Sequence, residues 1–97
     1  MLQLIASVLG MAPEMFASKS RKTEIVDLRF IGAHILRRFY PRITLKQIGS
    51  YFGGKDHSSI INALTRADEL LYVNDPIFSY KYIMAFNTVT KWVRELH

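Results

Sequence analysis

Residues Thr44 to Leu64, TLKQIGSYFGGKDHSSIINAL, read as a helix, a glycine-broken turn and a second helix. Leu45, Ile48 and Phe52 recur at helical spacing, so one stripe faces a core while Lys46 and Ser50 face outward. Thr44 caps the first helix, and Gln47 three residues later completes a capping box. Gly53 and Gly54 stop it, because adjacent glycines take positive φ at little steric cost and let the chain turn sharply. Asp56 follows as the next N-cap, placed to accept the amide of Ser58 or Ser59 at the positive end of the new helix dipole. From His57 onward, Ile60, Ala63, Leu64, Ala67 and Leu71 form an apolar stripe, opposed by Ser58, Asn62, Thr65, Arg66 and Glu69. The short side chains at the start of that polar face suit close approach to a base edge.

The remaining residues supply more helices. Leu2 to Leu9 predicts a first helix with Leu2, Ile5 (or Ala6) and Leu9 on one face, ended by Gly10. Its apolar opening lacks the basic n-region of a signal peptide. A short helical turn is expected from Pro13 to Phe16, and the basic segment Ser18 to Thr23 reads as a loop. A long helix from Glu24 to Tyr40 buries Leu28, Ile31, Ile35 and Phe39 until Pro41 stops it, with Arg29 and Arg37 two turns apart on one side. Asn74, Asp75 and Pro76 mark a turn. Phe78, Tyr82, Phe86, Val89 and Val93 then define a last helix that folds back over the core. The expectation is an all-α fold of five or six helices in one domain, residues 1–97, built around a helix-turn-helix.

Composition bounds the function. A chain of 97 residues with 49% hydrophobic content buries one modest core. It contains no cysteine, which excludes disulfides and thiolate metal sites and fits a cytoplasmic setting. From Lys19 to Lys55 there are nine basic residues against two acidic ones, whereas the remainder carries four basic and six acidic. A polyanion is the partner that such a basic half fits.

Other chemistries find less support. Gly49 to Lys55 matches most of a phosphate-binding loop, but Asp56 stands where the magnesium-binding hydroxyl belongs and no strand precedes Gly49. Asp56, His57 and Ser58 are neighbours pointing about 100° apart on a helix, so they form no relay. His34 reads as a packed or edge histidine, and the three histidines lack the spacing of a zinc site. Tyr72, Tyr80, Tyr82 and Trp92 could stack on bases, but at helical spacing they read as core or as a surface for a protein partner. No enzyme, cofactor, metal, membrane or small-molecule substrate is expected.

The stretch GGKDHSSI, with Ile48 and Gly49 ahead of the glycine pair, resembles the signature of the C-terminal DNA-binding domain of DnaA, the bacterial chromosomal replication initiator. SKSRKTEIVDLR, from Ser18 to Arg29, is similar to the basic loop before the long helix of that domain, so the resemblance covers most of the chain. It implies a helical, Trp-repressor-like domain on double-stranded DNA, with the recognition helix in the major groove and a basic loop in the adjacent minor groove. By this resemblance Asp56, His57 and Ser58 read bases, with Asp56 also serving as a cap. Arg21 and Lys22 lie in the loop that reaches the minor groove, Arg29 and Lys55 clamp backbone, and Ser59 offers a hydroxyl to phosphate. Lys46, Asn62 and Arg66 join the backbone-contacting set. The chain departs from the family at Asp27, where a basic or neutral residue is usual, at Ser58, where Thr is frequent, and in a Tyr40 to Ile43 segment one residue longer. The implied function is recognition of an initiator box, related to replication initiation at the nucleoid. The ATPase module that accompanies this domain in the full initiator has no counterpart in these 97 residues, so the alternatives are an excised domain, a free-standing transcriptional, phage or plasmid regulator, or a basic protein-interaction module.

Overall fold

The computed structural model describes residues 1–96. Ile5 and Ala6 are buried in a first helix, α1 (Leu2–Val8), whose end is closed by the Gly10 amide on Ser7 O and the Met11 amide on Ala6 O. A 3-10 helix, Pro13–Ala17, begins on its proline and inserts Phe16 into the core. Helix α2 (Thr23–Phe39) buries Leu28, Ile31, Ile35 and Leu36. It starts one residue before the expected Glu24 and ends one before the expected Tyr40, which caps it at φ −127° and ψ 78°. The physical reason is Pro41, whose ring excludes helical backbone at the preceding residue. Phe39, expected in the core, is half-buried at its edge, its ring 5.5 Å from that of Phe86.

The helix-turn-helix forms as its sequence predicts. Helix α3 (Leu45–Tyr51) carries the full capping box: the Gln47 amide donates to Oγ1 of Thr44 at 3.0 Å, and the Thr44 amide donates to Oε1 of Gln47 at 2.9 Å. Helix α4 (His57–Tyr72) is capped by Asp56, whose Oδ1 accepts the Ser59 amide at 2.9 Å. Ile60, Ala63 and Ala67 are buried, while Leu64 and Leu71 flank them half-buried. Beyond its Val73 cap the chain turns at Asn74, which takes φ 55°, and Asp75 then caps α5 (Pro76–Glu95) by accepting the Phe78 amide at 2.9 Å.

One apolar cluster joins the elements: Ile5 from α1, Phe16 from the 3-10 helix, Leu28 and Ile31 from α2, Ile48 from α3, Ile60 from α4, and Phe78 and Val89 from α5. Helix α2 packs along α4, and α5 closes the far side against α1, α2 and α4. No strand occurs among the described residues. His34 is the packed histidine that the sequence predicts: Nδ1 lies 2.7 Å from the Tyr82 hydroxyl and Nε2 lies 2.7 Å from Oδ1 of Asp68, so the ring ties α2 to α5 and α4. No helix among the described residues is long and apolar enough to cross a membrane.

Candidate nucleic-acid interface

Gly49 and Gly53 create the turn that aims α4. The chain returning from the turn passes directly over Gly49, so a Cβ there would collide with the Lys55 carbonyl oxygen. Gly49 O accepts both the Gly54 amide at 2.9 Å and the Lys55 amide at 3.2 Å. These two amides are thus bonded within the turn and are not free to cradle a phosphate. Gly53 adopts φ +76° and leaves no room for a side chain, since its Cβ would stand 2.8 Å from that of Ala17. The turn therefore supports the start of the basic loop.

That loop folds on its own serines. The Ser20 amide donates to Oγ of Ser18 at 3.0 Å, and the Lys22 amide donates to Oγ of Ser20 at 3.2 Å. From α2, Arg29 donates through Nη1 to Ser18 O at 2.6 Å and through Nη2 to Ser20 O at 2.9 Å. Nζ of Lys55 makes a longer contact of 3.4 Å with the same Ser18 oxygen. Loop, α2 and helix-turn-helix thus meet at one backbone carbonyl.

Between them lies a cleft of about 370 Å³ lined by Lys19, Arg21, Arg29, Lys55, Ser59 and Asn62 over a floor that includes Phe30, Phe52 and Ile60. Burial lowers the Lys55 ammonium from its ordinary range, and the neighbouring Arg29 and Lys19 lower it further. Burial also lowers the Arg29 guanidinium. Cations held this close repel one another, so an anion in the cleft would relieve the repulsion and gain hydrogen bonds from both groups.

The residues expected to read bases stand beside this cleft. Asp56, His57 and Ser58 are exposed at the first turn of α4, with Ser59 and Asn62 following on the same helix. Arg21 and Lys22 are exposed on the loop, and Lys46 is exposed on α3. Arg66 is exposed farther along α4, where Nη1 pairs with Oε2 of Glu69 at 2.7 Å, away from the cleft lining. Arg29 and Arg37, expected on one side, serve different ends of α2: Arg37 donates to Ile43 O at 3.3 Å, beside α3. Lys19 was not among the expected contacts, yet it lines the cleft. The signals for it are its place in the basic run and in the family-like loop from Ser18 to Arg29. Among the aromatics, Tyr82 belongs to the core at 5% exposure, whereas Tyr72 is 90% and Tyr80 66% exposed.

A family model described as the bacterial dnaA protein helix-turn-helix matches residues 1–66. The chromosomal replication initiator protein DnaA of Thermus thermophilus is 32% identical over 69 residues, covering 71% of this chain and 16% of the relative. That of Picosynechococcus sp. is 33% identical over 76 residues, 78% of this chain and 17% of the relative. That of Sulfurimonas denitrificans is 32% identical over 88 residues, 91% of this chain and 20% of the relative. The chain thus spans a fifth or less of the length of these curated relatives. No solved structure matches it.

Proposed function

The chain belongs to the bacterial DnaA helix-turn-helix family, and from that premise we propose that it binds double-stranded DNA at an initiator-type box, in a role related to replication initiation. The observation that carries this reading is the exposure of Asp56, His57 and Ser58 at the first turn of α4, directly beside the cation-lined cleft. Short polar groups at a helix start reach base edges in a major groove, while adjacent cations hold phosphates. In this reading α4 enters the major groove and Asp56, His57 and Ser58 read bases. Arg21 and Lys22 follow the adjacent minor groove. Arg29, Lys46, Lys55, Ser59, Asn62 and Arg66 contact backbone or its near surroundings. The protein acts by binding, without catalysis, in the cytoplasm where the nucleoid lies.

Selection of duplexes from a randomised pool tests this. Enrichment of a shared box, with affinity lost on scrambling it, is the expected result. Equal retention of every sequence would reject base reading. A second reading rests on α5, where Ile77, Tyr80 and Ile83 are more than half exposed, as are Tyr72 and Val73 at the end of α4. Such a surface fits a protein partner. Tyr80→Glu should then abolish partner capture while leaving duplex binding intact.

A further inference from the structure

The basic loop and the recognition helix are fastened to one another by the protein itself. Arg29 reaches back 11 residues to Ser18 and 9 residues to Ser20, using its two terminal nitrogens on two carbonyls of the loop. Lys55, one residue before the cap of α4, touches the same Ser18 oxygen. Ala17, where the loop begins, lies against Gly53 of the turn. The two serine-capped turns at Ser18 and Ser20 keep the segment folded between these anchors.

We propose that Arg29 is a positioning residue: its planar fork fixes the loop relative to α4, and so sets the spacing at which the two grooves of one duplex are read together. The inference rests on the DNA-binding reading above but concerns a different property. A free cation on α2 would serve a phosphate equally well as Arg or Lys, because only charge and reach matter there. Two terminal nitrogens, each donating to its own carbonyl, suit a guanidinium, whereas an ammonium gathers all its donors on one nitrogen and loses that fixed spacing. A loop held by the protein also avoids the ordering cost that a mobile loop meets on binding. Rigid spacing carries a consequence for the ligand. One base pair inserted between the major-groove and minor-groove segments displaces one from the other by about 3.4 Å and turns it around the axis, and a fastened loop cannot follow.

The experiment compares the wild-type protein with Arg29→Lys, which keeps the charge and loses the fork, and with Arg29→Gln, which loses the charge and keeps one amide donor. The first measurement is ¹⁵N relaxation at Lys19, Ser20, Arg21 and Lys22 in the protein alone, after circular dichroism shows native helix content. The second is affinity for the best duplex from the randomised pool and for the same duplex with one base pair inserted between its two segments. Wild type should lose roughly 10–100-fold on the inserted duplex, the range of a disrupted base contact. In Arg29→Lys the loop amides should become mobile and the insertion penalty should shrink severalfold, with the salt dependence unchanged. Arg29→Gln should loosen the loop as well, with a salt slope shallower by about one unit. A loop as ordered in Arg29→Lys as in wild type, or an insertion penalty that stays at the wild-type value, overturns the proposal. If the wild-type protein bound no duplex, the DNA-binding reading would fall, and relaxation alone would still decide whether Arg29 holds the loop.

Discussion

Asp27 and Lys81 stand 54 positions apart in the chain, and Nζ of Lys81 donates to Oδ2 of Asp27 at 3.2 Å. Asp27 is one of two buried polar or charged residues among those described, at 8% exposure, and its side chain lies on the second turn of α2, just after the basic loop. The pairing gives the physical account of a buried carboxylate so close to a basic loop. The cation that neutralises it comes from α5, beyond the residues 1–66 that the family model matches. The ion pair thus fastens the last helix to the helix that carries Arg29.

Removing only the cation should therefore cost more than removing both charges. Lys81→Met leaves the Asp27 carboxylate buried without a partner and should destabilise by roughly 1–3 kcal/mol. Asp27→Asn with Lys81→Met should recover part of that loss, since a neutral amide tolerates the site better than a lone carboxylate. Urea unfolding of the two variants checks this, and equal losses would show that the pair contributes through packing alone.

Duplex binding should depend steeply on salt. With four to six phosphates held by the basic half, log affinity should fall against log salt with a slope of roughly −4 to −5. A flat profile would point to a partner other than a polyanion.

Base reading and phosphate contact should separate by mutation. His57→Ala should weaken the preferred duplex by roughly 1–3 kcal/mol and a scrambled duplex much less. Lys46→Ala should weaken both alike and make the salt slope shallower by about one unit. Titration of both proteins on both duplexes measures the difference. Equal losses for His57→Ala on the two sequences would place base reading elsewhere on the protein.

The Asp56 cap predicts a pH dependence. The Ser59 amide, and then the Ser59 hydroxyl, hold the Asp56 carboxyl below the usual carboxylate range, against a lesser opposing effect of desolvation. Because the folded value lies below the unfolded one, the carboxylate stabilises the fold above the unfolded value of about 3.9, and the contribution is lost as pH falls through the folded value. Melting temperatures of wild type and Asp56→Ala should accordingly differ by a constant amount near neutral pH. The gap should begin to narrow only below about pH 4, as pH approaches the lowered folded value. A gap that persists into strong acid would mean that the charge has no part in the cap.

Gly49 should resist substitution. Gly49→Ala pushes a methyl group into the Lys55 carbonyl and should cost roughly 1–3 kcal/mol, with the turn unable to relax because its amides bond to Gly49 itself. Thermal unfolding of the variant tests it. A near-native midpoint would show that the turn can open without penalty.

The helix-turn-helix is written in local sequence. Thr44 with Gln47, the glycines at 53 and 54, and Asp56 with Ser59 each act within about one helical turn, so neighbours in the chain fully specify them. The apolar stripes of α2 and α4 were legible for the same reason, being periodic, although the half-burial of Phe39, Leu64 and Leu71 depends on which neighbours cover the ends of each stripe. The roles of the charges emerge only once the helices pack together. Arg29 and Arg37 look equivalent along one helix, yet one braces the basic loop and the other reaches the carbonyl of Ile43. Asp27 finds its cation on α5, and His34 finds Tyr82 and Asp68 on two further helices. Long flexible side chains choose partners by proximity in space, and that proximity arises only when the apolar stripes have packed.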